Sequence, residues 1–111
     1  MPTLPTWAGR SSFEYSGSVR GGTTITFGRG WQASVSAEQY RALLTRFAGD
    51  TVSAGTSRTD PPAGSLGEWL QENVTKVAIA SYVAPILIAE GYAEALHGPH
   101  LLRFGPASNA G

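Results

Sequence analysis

The chain has 111 residues, 41% hydrophobic and 14% charged, which suits one domain with its own core and excludes a disordered tail. It has no cysteine, so disulfide scaffolds, thiolate metal sites and cysteine nucleophiles are excluded. Its 8 basic and 8 acidic residues cancel, with five basic against three acidic residues in 1–55 and three against five in 56–111, a balance that disfavours binding driven by a phosphate backbone.

Residues 1–10, MPTLPTWAGR, contain neither the basic nor the apolar stretch of a secretory signal and read as an extended leader. FEYSGSV, TTITF and WQASV then alternate apolar and polar residues: Phe13, Tyr15 and Val19; Ile25 and Phe27; Trp31, Ala33 and Val35. Period two with aromatic and β-branched content predicts three strands with one buried face. RGG at 20–22 and GRG at 28–30 supply the glycines of tight turns, so residues 11–35 are expected as a three-stranded antiparallel meander.

Ser36 and Gln39 have capping-box spacing ahead of Tyr40, Leu43, Leu44 and Phe47, which predicts a helix ended by Gly49. TVSA at 51–54 reads as a short strand. Residues 55–64 form a loop of Gly, Thr, Ser, Arg, Asp and Pro, longer than most connections and therefore a candidate functional loop with Arg58 as its reaching charge. Ser65 and Glu68 repeat the capping-box spacing before Leu66, Trp69, Leu70 and Val74, a short helix ending near Asn73. That start satisfies its own donors and would repel an anion through Glu68.

Thr75 is read as the N-cap of a third helix through about Ala89, with Pro85 inside it removing the hydrogen bond to the Ser81 carbonyl. Steps of 100° place Ile79, Tyr82, Val83 and Ile86 on a core face and Val77, Ser81, Ala84 and Ile88 on the opposite one. YAEAL and HLLRF flank HGP as a last hairpin, and 105–111 read as a flexible polar tail. The longest apolar run, VAIASYVAPILIA, is interrupted and shorter than the ~20 residues of a membrane span, so a soluble, cytoplasmic protein with no membrane contact is expected.

Helix, short strand, helix, turn, helix and hairpin, Ser36 to Phe104, is an order that resembles the winged helix-turn-helix domain, most closely across NVTKVAIASYVAPILIAEGYAEALHGPHLLRF. The resemblance implies an α+β fold, winged-helix-like over 36–104, with an N-terminal meander added. It also implies a third helix in the DNA major groove and a wing on the backbone. Carried onto this chain, those contacts fall on Lys76, Ser81 and Arg103, aided by Arg20, Arg29 and Arg58. The outward face of that helix offers no Arg, Lys, Asn or Gln for base reading, and only Lys76, at the helix start, and Ser81 could reach a groove.

Small apolar residues on that helix instead suit close packing, either under the rest of the chain or against a partner; the leading function is a non-enzymatic module acting through protein association, including self-association, with Val77, Ser81, Ala84 and Ile88 as its face. DNA binding is the alternative. An enzyme with a site at Ser57, Arg58 and Asp60 is the second alternative, although no nucleophile elbow or S-x-x-K pair accompanies that serine. His97 and His100 lack the further ligands of a zinc site, Glu94 adding one at best, so neither metal nor cofactor is expected. Arg10, Arg20 and Arg29 are candidates for one basic patch on the meander.

Overall fold

The structure is a computed structural model and describes residues 3–7, 9, 11–57, 59–96 and 101–105. The chain opens with four strands, β1 (Thr3–Pro5), β2 (Ser12–Ser18), β3 (Gly22–Phe27) and β4 (Trp31–Ser36), paired antiparallel in the order β1-β2-β3-β4. Alternation buries Phe13, Tyr15, Ile25 and Val35 on one face and leaves Ser12, Glu14, Ser34 and Ser36 exposed on the other. This sheet has one strand more than the expected meander. The leader pairs Thr3 with Glu14 and Pro5 with Ser12, and a three-residue strand carrying proline, tolerated only at an edge, has too little alternation to be read from sequence.

The first helix, α1 (Ala37–Phe47), starts at the predicted capping box: the Gln39 N–H donates to Ser36 Oγ at 3.1 Å and the Ser36 N–H to Gln39 Oε1 at 2.8 Å. It buries Tyr40, Leu43 and Phe47 under β3 and β4. After β5 (Thr51–Ser53) and the loop, α2 (Leu66–Asn73) is capped by Ser65, whose Oγ accepts from the Glu68 N–H at 3.1 Å. The Glu68 carboxylate reaches one residue further out than a capping box requires and accepts from the Gly64 N–H at 2.9 Å.

The third helix, α3, spans Ala80–Ala89, so Thr75 is not its N-cap. The N–H groups of Val74 and Thr75 both donate to the Leu70 carbonyl and close α2, while Thr75 Oγ1 accepts from the Val77 N–H at 3.3 Å. Thr75 therefore organises a turn between helices, a use of threonine that competes with capping. Pro85 does lie inside α3. The Ser81 carbonyl that it frees accepts the N–H of Trp7 at 2.9 Å, which ties the leader across the helix.

The predicted hairpin is present as β6 (Ala93–Ala95) and β7 (Leu101–Phe104), but β7 also pairs with β5, giving a three-stranded antiparallel sheet in the order β5-β7-β6. The fold is thus α+β, with three helices and two antiparallel sheets among the described residues. Buried residues from both sheets and all three helices join one core, in which Phe47 stacks on Phe104 at 5.2 Å and meets Trp69 edge-on at 6.4 Å. No helix among the described residues is long and apolar enough to cross a membrane. The tail expected at 105–111 lies outside the described residues except for Gly105.

Candidate functional site

Of the four residues expected on one apolar face of the third helix, Ala84 is completely buried and Val77 lies before the helix begins. Ser81 and Ile88 are half-buried, Ile88 against the core. Ala84 is therefore packed within the chain, whereas Val77 stays exposed to solvent. A helix that starts at Ala80 gives Val77 no fixed position around its axis, and α3, apolar on every side, packs against β1, β6 and α2 at once.

What the structure leaves open is a groove of about 580 Å³ between the β3–β4 turn and the segment that leads into α3. Its walls carry Trp31, 70% exposed, and Val77, 52% exposed, the two exposed large hydrophobic residues among those described. Local sequence builds both walls. Gly28 and Gly30 adopt φ of 59° and 99°, the left-handed region that a three-residue hairpin turn demands, and this sets Trp31 opposite Phe27 at the first position of β4. On the other wall the Thr75 turn holds residues 76–78 out of the helix.

The floor is aromatic. Phe27 stacks on Tyr82 at 4.5 Å, and Tyr82 meets Phe13 edge-on at 5.2 Å, so the groove rests directly on the core. Its two charged lining residues are Arg29 and Lys76, and neither has an ion-pair partner among the described residues.

The other predicted cations are placed apart. Arg20 lies at the opposite end of β3 from Arg29, separated by roughly 17 Å of strand at 3.4 Å per residue, so the two do not form a single basic patch. Arg20 instead lines a second groove of about 300 Å³ with Arg41, Tyr40 and Tyr92. Arg103 is engaged by Glu94 on the neighbouring strand. Arg10, Arg58, His97 and His100 lie outside the described residues. In the 55–64 loop, Ser57 Oγ accepts from the Asp60 N–H at 3.0 Å and the Thr59 N–H at 3.4 Å, a local turn.

One polar centre escaped the sequence reading. Glu90, just past α3, accepts the Tyr15 hydroxyl at 3.0 Å and the Val19 N–H at 2.9 Å, clamping the helix end to β2. Burial, then the hydrogen bond to Glu90 and its negative charge, raise the Tyr15 pKa. Tyr40, whose hydroxyl lies 2.7 Å from that of Thr23, is raised further, chiefly by burial, with the Thr23 hydrogen bond pulling the other way. A glutamate after an apolar helix has no local signature, because its partners lie 71 and 75 residues away.

Comparison with protein-family models, with curated proteins and with solved structures returns no match.

Proposed function

We propose that the protein is a non-enzymatic binding module that acts by protein association, including self-association, through the groove bounded by Trp31 and Val77. The observation that carries this reading is that the two exposed large apolar side chains among the described residues flank one groove. Exposed aromatic surface of this kind supplies the anchors of protein interfaces, and Arg29 and Lys76, without ion-pair partners among the described residues, supply directional charge at its rim.

We read residues 36–104 as a winged-helix-like unit, supported by the element order α1, β5, α2, α3, β6, β7 and by the sheet order β5-β7-β6. In this reading the N-terminal sheet occupies the side of α3 that a DNA-reading relative would present. Trp7, which follows β1, is hydrogen bonded to Ser81 on that side. Nucleic-acid binding is the second reading, favoured by the convergence of Arg29 and Lys76. Its test is fluorescence anisotropy with duplex and single-stranded DNA at two salt concentrations, where phosphate contacts demand a steep loss of affinity as salt rises and no binding at low salt removes it.

For the leading reading, the tagged chain and its Trp31→Ser, Val77→Ser double variant serve as baits in extracts of the organism that makes it. Both residues are exposed, so equal melting temperatures are expected. The wild-type bait should retain proteins that the double variant does not. Identical retained sets from two folded baits overturn the reading.

A further inference from the structure

The four-stranded sheet has two edges, and they are built differently. At one edge β1 has three residues, ends in Pro5 and is tied across α3 by the Trp7 hydrogen bond. The other edge is β4, six residues in unbroken one-to-one register with β3, from Trp31 opposite Phe27 to Ser36 opposite Gly22. Its sequence, WQASVS, has no charge, no proline and no bulge, and β3 is the only strand paired with it among the described residues. Proteins ordinarily blunt an edge with just those devices, and a flat uncharged edge without them is a template for another strand. The edges of the second sheet, β5 and β6, are three residues each.

We propose that the partner of this surface is a second copy of the chain, joined through antiparallel pairing of β4 with the partner's β4 about a two-fold axis at Ala33. This rests on the association reading above and names its occupant. A second copy always brings the same open edge, and the zero net charge sets no long-range repulsion between copies.

The register follows from the faces. Trp31, Ala33 and Val35 point to the core side of β4, and Gln32, Ser34 and Ser36 to the outer side, so pairing that keeps the sheet continuous must set like faces opposite each other. Centring on Ala33 sets Trp31, 70% exposed, opposite the partner's Val35 in the pairing, an aromatic and β-branched cross-strand pair. It sets Gln32 against the partner's Ser34 on the outer face. It also brings Arg29 beside the start of the partner's α1, where Glu38 is exposed. Neither Arg29 nor Glu38 has an ion-pair partner within the chain among the described residues, so the two-fold pairs these charges twice.

Sedimentation equilibrium from micromolar to several hundred micromolar tests this. The wild type should reach the mass of a dimer. The Gln32→Lys, Ser34→Lys variant sets lysine opposite lysine only across the axis, and it should raise the dissociation constant about tenfold or more while melting like the wild type. The Gln32→Glu, Ser34→Glu variant should be weakened equally, and mixing the two should restore a one-to-one heterodimer, visible by native mass spectrometry. A wild type that stays monomeric, a dimer indifferent to the lysines, or a mixture that fails to pair overturns the proposal. A monomer that still retains other proteins in a Trp31-dependent way discards only the second copy; a monomer without such retention discards the association reading too.

Discussion

Glu90 shows how one side chain joins parts of the chain that no local pattern connects. Its two carboxylate oxygens serve the Tyr15 hydroxyl and the Val19 N–H, and Val19 is buried, so an amide there has no water to turn to. Glu90→Ala is expected to lower unfolding free energy by about 1–3 kcal/mol, the scale for stranding a buried donor. Glu90→Gln keeps an acceptor and should lose less. Urea unfolding of both measures the difference, and equal losses would show that Glu90 acts through its charge rather than as an acceptor. Thr23 and Tyr40 are a second such pair, satisfying each other inside the core at 2.7 Å.

Elements meet here through backbone as much as through side chains. The Gly67 N–H donates to the Ala54 carbonyl at 2.9 Å, bringing the first turn of α2 against the end of β5. A Cβ on Gly67 would overlap the Gly55 carbonyl, and Gly55 itself, at φ of 65°, would set a Cβ against Ser65. Gly67→Ala should therefore destabilise by about 1–3 kcal/mol, as overpacking does, although alanine is the better helix former. Thermal unfolding decides it, and a neutral or stabilising effect would mean that the two elements separate easily. Such an approach reads in sequence only as a glycine in a capped helix, and the local signals that were legible, the capping box at Ser36 and the N-cap at Ser65, are those that close within four residues.

For the molecule as a whole, the buried phenols couple the core to pH. Tyr15 and Tyr40 both titrate above the ordinary phenol value of about 10, so between that value and their folded values the unfolded chain loses protons that the folded chain retains. Their contribution is complete below pH about 10, and stability must fall as pH rises beyond it. Tyr40→Phe should flatten the fall, at a cost near neutrality of about 1 kcal/mol from the unpaired Thr23 hydroxyl. Urea midpoints measured from pH 8 upward test this, and an unchanged slope in Tyr40→Phe would exclude Tyr40 as its source.

Periodicity and capping chemistry by themselves determined the strands of the meander, the bounds of α1 and α2, the hairpin and the α+β class, because alternation, glycine turns and serine caps act over a few residues. The start of α3, the fourth strand and the place of Val77, Ser81, Ala84 and Ile88 were decided only in three dimensions. An apolar helix carries no mark of which side another element will cover, and Trp7 reaches Ser81 across 74 residues of chain. Likewise Arg29, Lys76, Trp31 and Val77 carry no mark in sequence of standing together. They become one groove only because a hairpin turn and an interhelical turn end at the same side of the core.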